Sequence, residues 1–141
     1  MIEFKNINYT VGEFSLKNIS FQIHDGEFFS IVGSSGSGKS VLLDLMVGFR
    51  KCSSGEIIHN GDNITQKSIQ NRPFRIVFQD LSLFPHLSVQ KNIEYGLKSQ
   101  NINKEKRIQL IKEWSKKCQV DKLLNRRVES LSGGEKQRVA I

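Results

Sequence analysis

The chain has 141 residues, 21 Lys+Arg against 14 Asp+Glu, and a formal net charge of +7. That length suits one domain with a real core, and 38% hydrophobic with 25% charged residues is a globular composition with no biased tract. No apolar run approaches the ~20 residues that span a bilayer, and the opening MIEFKNINYT has an acid at its third position and no apolar centre, so it does not read as a secretory signal.

In chain order, IEFKNINY alternates imperfectly between apolar and polar residues. In NISFQI, Ile19, Phe21 and Ile23 alternate cleanly, which predicts a half-buried strand. HDGE is a turn, and EFFSIVG is a short continuous apolar run that predicts a strand buried on both faces. After a Gly/Ser loop, KSVLLDLMVGF places Val41, Leu42, Leu45, Met46 and Phe49 at helical spacing. GEIIHNGDNIT predicts a short strand pair turned at Asn60-Gly61, and FRIVFQ predicts another short apolar strand. DLSLFPHLSVQKNIEYGL reads as a loop through Pro85 and then a helix capped by Ser88.

NKEKRIQLIKEWSKK predicts an amphipathic helix with Asn103 as its cap. Leu110, Ile111, Trp114 and Cys118 share one face and lysines cover the rest. Much of the positive charge lies here. It reads as a solvated helix face rather than a nucleic-acid surface, because no aromatic–basic interleaving or RNA-binding signature accompanies it. A short segment around DKLLNRR precedes the final LSGGEKQRVAI, where Ser132 and Glu135 have the spacing of a capping box and Gly133 and Gly134 leave the helix mouth bare. No glycine, proline or polar tail ends that helix. Cys52 and Cys118 form no CxxC pattern, and His24, His59 and His86 have no ligand spacing, so reduced thiols and no protein-held zinc are expected.

The most specific pattern is Gly33, Ser34, Ser35, Gly36, Ser37, Gly38, Lys39 and Ser40, which fits G-x-x-x-x-G-K-[ST] in full between a predicted strand and a predicted helix. Glycines let the backbone wrap an anion with its N–H groups inward, and the helix N-terminus adds its positive dipole end. Lys39 is expected to reach the β- and γ-phosphates of a nucleoside triphosphate, and the Ser40 hydroxyl to ligate Mg²⁺.

With LSGGEKQ downstream of that loop and FRIVFQD between them, the chain resembles the ATP-binding subunit of ABC transporters over essentially its whole length. The resemblance implies an α/β P-loop NTPase core with an N-terminal antiparallel β region (1–80), a helical subdomain (81–130) and the start of the signature helix (131–141). It further implies that Tyr9, or failing it Phe14, stacks on adenine, an aromatic face being a natural base platform. Gln79 would sense Mg²⁺ and the attacking water, and would be catalytic together with Lys39. Ser132, Gly133, Gly134, Glu135 and Gln137 belong to the signature, which in the family caps the γ-phosphate of ATP held by a second, head-to-tail subunit. LFPHLSVQKNIEYGL is similar to the stretch after the glutamine in importer ATPases, so the Leu83 and Phe84 region is expected to meet a transmembrane permease. A place on the cytoplasmic side of the cell membrane, peripheral to it, is implied in turn. The chain looks most like ATPases of molybdate or tungstate importers, with sulfate and polyamine importers close behind.

The family continues past the signature helix to a strand ending in Asp-Glu and to a switch histidine, and the 141 residues contain neither. The expectation is a domain incomplete at its C-terminus, which binds ATP with Mg²⁺ but does not hydrolyse it, since the groups that organise water are outside the sequence. It would also leave a buried sheet edge open. Two other readings stand beside this one: a non-transport relative of DNA-repair or translation type, which the charge would suit, and a nucleotide-binding remnant without activity.

Overall fold

The computed structural model describes residues 1–98, 100 and 102–141. The chain divides into two compact units, Met1–Ile76 and Val77–Ile141.

The first unit holds strands β1 (Ile2–Val11), β2 (Phe14–Ile23), β3 (Ser54–His59) and β4 (Asp62–Asn63) and helix α1 (Lys39–Val47). The sheet runs β2-β1-β3-β4, antiparallel throughout. β1 alternates imperfectly because it carries a bulge. Its register shifts between Phe4 and Ile7, with Asn6 at φ 48. The inserted residue lets Phe4, Ile7 and Tyr9 all face the core. β3 passes so close to this bulge that Gly55, at φ 94, has no room for a side chain: a Cβ there would lie 2.5 Å from the Asn6 carbonyl oxygen. The predicted turn forms at Asn60 (φ 50) and Gly61 (φ 87), both left-handed, as a tight hairpin requires.

Helix α1 buries Leu45 against Phe4, Ile7, Ile57 and Ile64. Beneath the hairpin, the Thr65 hydroxyl accepts from the Ile57 N–H at 2.8 Å and donates to Asn63 Oδ1 at 2.6 Å. Thr65→Val keeps the shape and strands that buried N–H. It is expected to lower stability by about 1.5 kcal/mol, measured by circular dichroism in urea.

Arg72 is buried without a carboxylate partner. Its guanidinium donates to the carbonyls of Leu45 (2.6 Å), Met46 (2.7 Å), Thr65 (2.7 Å) and Lys67 (3.1 Å). Two of these are end-of-helix carbonyls that α1 leaves orphaned, and a cation there meets the negative dipole end. Burial holds Arg72 below the ordinary arginine range.

Two sequence expectations need correction. Neither EFFSIVG nor FRIVFQ is a strand among the described residues. Phe28 is 94% exposed and Val32 91%. A continuous apolar strand is stabilised by ladder partners on both sides, and β1–β4 pair only with one another. Phe29 stacks at 5.2 Å on Phe21, which stacks at 4.4 Å on Phe4, and Phe74 packs against the core.

The second unit contains α2 (Val89–Lys98), α3 (Lys104–Lys117) and α4 (Gly133–Ala140), with short 3₁₀ turns at Asp121–Leu123 and Val128–Ser130. Val89, Val120, Leu131 and Val139 form its core. The signature segment belongs to this unit, since Leu131 and Val139 enter that core. The expected caps are present: Ser88 Oγ accepts from the Lys91 N–H at 3.3 Å and Asn103 Oδ1 from the Lys106 N–H at 2.9 Å. On α3, Ile111 is buried as expected. Trp114 is half exposed instead, with the Lys117 ammonium 4.4 Å from its ring centroid.

Candidate nucleotide site

The phosphate loop lies between the exposed segment after β2 and the start of α1. Gly38 is the N-cap of α1, at φ 95 and ψ 11. No side chain caps this helix and its first turn holds no acid. The first-turn N–H groups and the positive dipole end are therefore left for an outside anion. The Lys39 ammonium folds back over the loop and donates to the Gly33 carbonyl at 2.9 Å and the Ser34 carbonyl at 2.7 Å. A turn from Ser37 N–H to the Ser34 carbonyl (3.3 Å) and the left-handed Gly36 (φ 81) complete the curve. A Cβ on Gly33 would lie 2.8 Å from Ser37 Oγ. Ser40, second residue of α1, is exposed. This donor set fits a triphosphate with its Mg²⁺: backbone N–H groups and one ammonium for the anion, one hydroxyl for the cation.

Gly38 also packs on β2. A Cβ on it would lie 2.7 Å from the Phe14 ring and 2.8 Å from Leu16 Cδ2. Phe14 thus stands beside the loop, opposite Val11 in the β1–β2 register. Tyr9 does not present a free face. It is 8% exposed within the core, and its hydroxyl accepts from Arg50 Nη1 at 2.7 Å, while Arg50 Nε donates to Asp44 at 2.9 Å. The bulge in β1 turns Tyr9 inward, so the expected Tyr9 base platform is not available and Phe14 is the aromatic next to the loop.

In the second unit, Gln79 is exposed. It is followed by two successive left-handed residues, Leu81 (φ 63) and Ser82 (φ 43), with Asp80 Oδ1 accepting from the Ser82 N–H at 3.2 Å and its hydroxyl at 2.9 Å. Such backbone is sparse for non-glycine residues. Leu83 packs against the core, and the Phe84 ring lies 4.6 Å from that of Tyr95.

At α4 the capping box is complete. Glu135 N–H donates to Ser132 Oγ at 3.4 Å, and the Glu135 carboxylate accepts from the Ser132 N–H at 2.8 Å and its hydroxyl at 2.9 Å. The N–H groups of Gly133 and Gly134 are not used by the box, and both residues are exposed. Gln137 lies one turn further along α4. Ser132→Ala is expected to lower the stability of this unit by about 1 kcal/mol, read from the fluorescence of Trp114, the one tryptophan. The hydrogen bond from the Ser132 N–H, and then that from its hydroxyl, hold the Glu135 carboxyl below the usual glutamate range. The contribution of the cap is therefore full above pH ~4.3 and is lost as the pH falls through the lower folded value. Glu135→Gln is expected to flatten the acid side of the stability–pH profile.

The model of the ABC transporter family matches residues 16–141. The chain is 40% identical over all of its 141 residues to the molybdate/tungstate import ATP-binding protein WtpC of Pyrococcus abyssi, and equally to that of Pyrococcus horikoshii, and spans 41% of the length of each. Its fold superposes with a TM-score of 0.81 on a dimeric ATP-binding cassette in a post-hydrolysis state bound to ADP and Pi, at 32% identity over 99% of this chain and 67% of the other. It superposes with a TM-score of 0.87 on cbiO1 of Clostridium perfringens, part of an ABC transporter complex, at 29% identity over 99% of this chain and 58% of the other. Matched by that family model over residues 16–141, with a phosphate loop at 33–40 and LSGGEKQ downstream of it, the chain belongs to the ABC transporter family.

Proposed function

We propose that this chain is the nucleotide-binding part of an importer ATP-binding subunit. The observation that carries the reading is the uncapped N-terminus of α1, with Lys39 already lying over the loop, in a chain 40% identical to import ATP-binding proteins. The loop 33–40 holds the triphosphate, with Lys39 on its outer phosphates and Phe14 rather than Tyr9 beside the base. The Ser40 hydroxyl would hold Mg²⁺, which would supply charge neutralisation among the phosphates, and Gln79 would act as its sensor. The free N–H groups of Gly133 and Gly134 suit the γ-phosphate of a second subunit's ATP, in a head-to-tail pair. Leu83 and Phe84 meet a permease, which places the subunit on the cytoplasmic face of the membrane. The solute is an oxyanion of the molybdate or tungstate class, in keeping with the names of the relatives.

The loop 33–40 is expected to bind ATP. Titration with a fluorescent ATP analogue, with and without Mg²⁺, should saturate at one site per chain. Absence of saturable binding, or binding unaltered in Lys39→Ala, would refute the reading.

A further inference from the structure

We infer that Asn92 is the positioning residue that fixes the shape of the permease-facing loop, and that Tyr95 supplies an apolar contact beside Phe84 on that surface. The inference rests on the reading that Leu83 and Phe84 meet a permease. The loop 80–88 contains Pro85 and the two left-handed residues Leu81 and Ser82. Its one ladder contact is the single bridge from Ser88 to Arg127 among the described residues. Asn92, in the first turn of α2, reaches back to hold it. Its Oδ1 accepts from the Phe84 N–H at 2.8 Å, and its Nδ2 donates to the Phe84 carbonyl at 3.1 Å, the Ser88 carbonyl at 3.0 Å and the Leu87 carbonyl at 3.5 Å. One side-chain amide thus serves both the donor and the acceptor of the same backbone residue, as a neighbouring strand would. Its near isosteres cannot do so: a carboxylate has no donor, and leucine of similar size has neither group.

The Phe84 side chain is held from the same helix. Tyr95 follows Asn92 by three residues, which sets them on one face of α2, and its ring lies 4.6 Å from that of Phe84. Tyr95 is 59% exposed, so most of it is offered outward rather than spent on the core. Phe84 is therefore fixed in backbone by Asn92 and in ring by Tyr95, while Leu83 behind it packs on the core. A loop fixed beforehand loses less freedom when a partner seats on it. Loss of Asn92 is thus expected to weaken permease coupling with little effect on nucleotide binding.

The test compares Asn92→Leu, Asn92→Asp and Tyr95→Ala with Val120→Ala, a core variant of the same unit. In this chain, hydrogen exchange at the Phe84 amide should quicken at least ~10-fold in Asn92→Leu, which has no acceptor, since a lost hydrogen bond of ~1.4 kcal/mol corresponds to tenfold, and less in Asn92→Asp, whose carboxylate still accepts from that N–H. In Tyr95→Ala that amide should stay protected. In the transporter assembled from the complete ATP-binding subunit and its permease, Asn92→Leu should lose most of the permease-stimulated hydrolysis while ATP binding by the isolated subunit stays within about twofold, because the side-chain hydrogen bonds of Asn92 go to the segment 84–88. An unchanged Phe84 amide overturns the proposal. So does coupling that falls only in step with melting temperature, as in Val120→Ala. If the unsubstituted subunit is not stimulated by the permease, the reading beneath the proposal falls and the coupling role with it, while the exchange result separately decides whether Asn92 fixes the loop.

Discussion

Lys39→Met is expected to weaken ATP binding by about 100-fold, or roughly 2.7 kcal/mol, while the melting temperature of the chain barely moves. Methionine keeps the length and apolar stem of the side chain and removes its charge. In the free loop the ammonium is bound to the Gly33 and Ser34 carbonyls at 2.9 and 2.7 Å. These contacts curve the loop, and they are to exposed carbonyls that water can satisfy instead, so their loss is a small matter for folding. Phosphate is another case. The α1 N-terminus offers dipole and N–H groups but no full charge, and no other cation is hydrogen-bonded within the loop. Removing the one ammonium leaves the outer phosphates without a formal counter-charge from the loop 33–40. Titration of wild type and Lys39→Met with a fluorescent ATP analogue, beside thermal melts of both, separates binding from folding. A variant that binds within threefold of wild type would mean that the loop holds phosphate by its backbone alone. Lys39→Arg is a useful companion, because a planar fork does not reproduce a compact ammonium at a site shaped by two carbonyls.

Features whose cause is local were legible in the sequence. Asn60-Gly61 makes its hairpin because two successive left-handed residues are needed there and this pair tolerates them. Ser132 and Glu135 make their capping box because a three-residue spacing determines it. The phosphate loop is set by its glycines and by the helix that follows. The features that escaped depend on residues far apart in the chain. The bulge at Asn6 shifts the inward phase of β1, and with it Tyr9 passes from a surface aromatic to a core residue. Nothing in IEFKNINY marks where the extra residue falls, although the imperfect alternation was its trace. Arg72 is a buried clamp on the end of α1 that no local pattern marks, because its carbonyl partners Leu45 and Met46 are 27 and 26 residues away. Asn92 was one polar residue in a helix, and its role emerges only when the loop 84–88 folds back on it. EFFSIVG and FRIVFQ failed in the other direction. Their composition is that of strands buried on both faces, but hydrophobic content cannot supply a ladder, and β1–β4 pair among themselves.

Gly38→Ala is expected to lower the stability of the first unit by about 2–4 kcal/mol and to abolish measurable ATP binding, although it adds one methyl group. Two separate effects meet at this residue. Its backbone is left-handed, at φ 95, where an alanine is strained by about 1–2 kcal/mol. The new Cβ would also stand 2.7 Å from the Phe14 ring and 2.8 Å from Leu16 Cδ2. Leu16 is buried in the core and cannot swing away freely, so relief requires the N-terminus of α1 to move off β2. That is the end of the helix that presents its N–H groups to phosphate, and a displacement there changes the anion site directly. Gly36→Ala provides the comparison. Gly36 is left-handed as well, at φ 81, but nothing lies within 4 Å of its would-be Cβ, so it carries the strain alone. Its loss should be about 1–2 kcal/mol. The difference between the two variants, measured by urea denaturation under circular dichroism, isolates the packing of the loop on β2. Phe14→Ala introduced into Gly38→Ala should then recover part of that difference, since the ring is one of the two groups in the way and residues in contact are not additive. Equal losses for Gly36→Ala and Gly38→Ala, or no recovery on removing the Phe14 ring, would mean that β2 does not hold the phosphate loop in place.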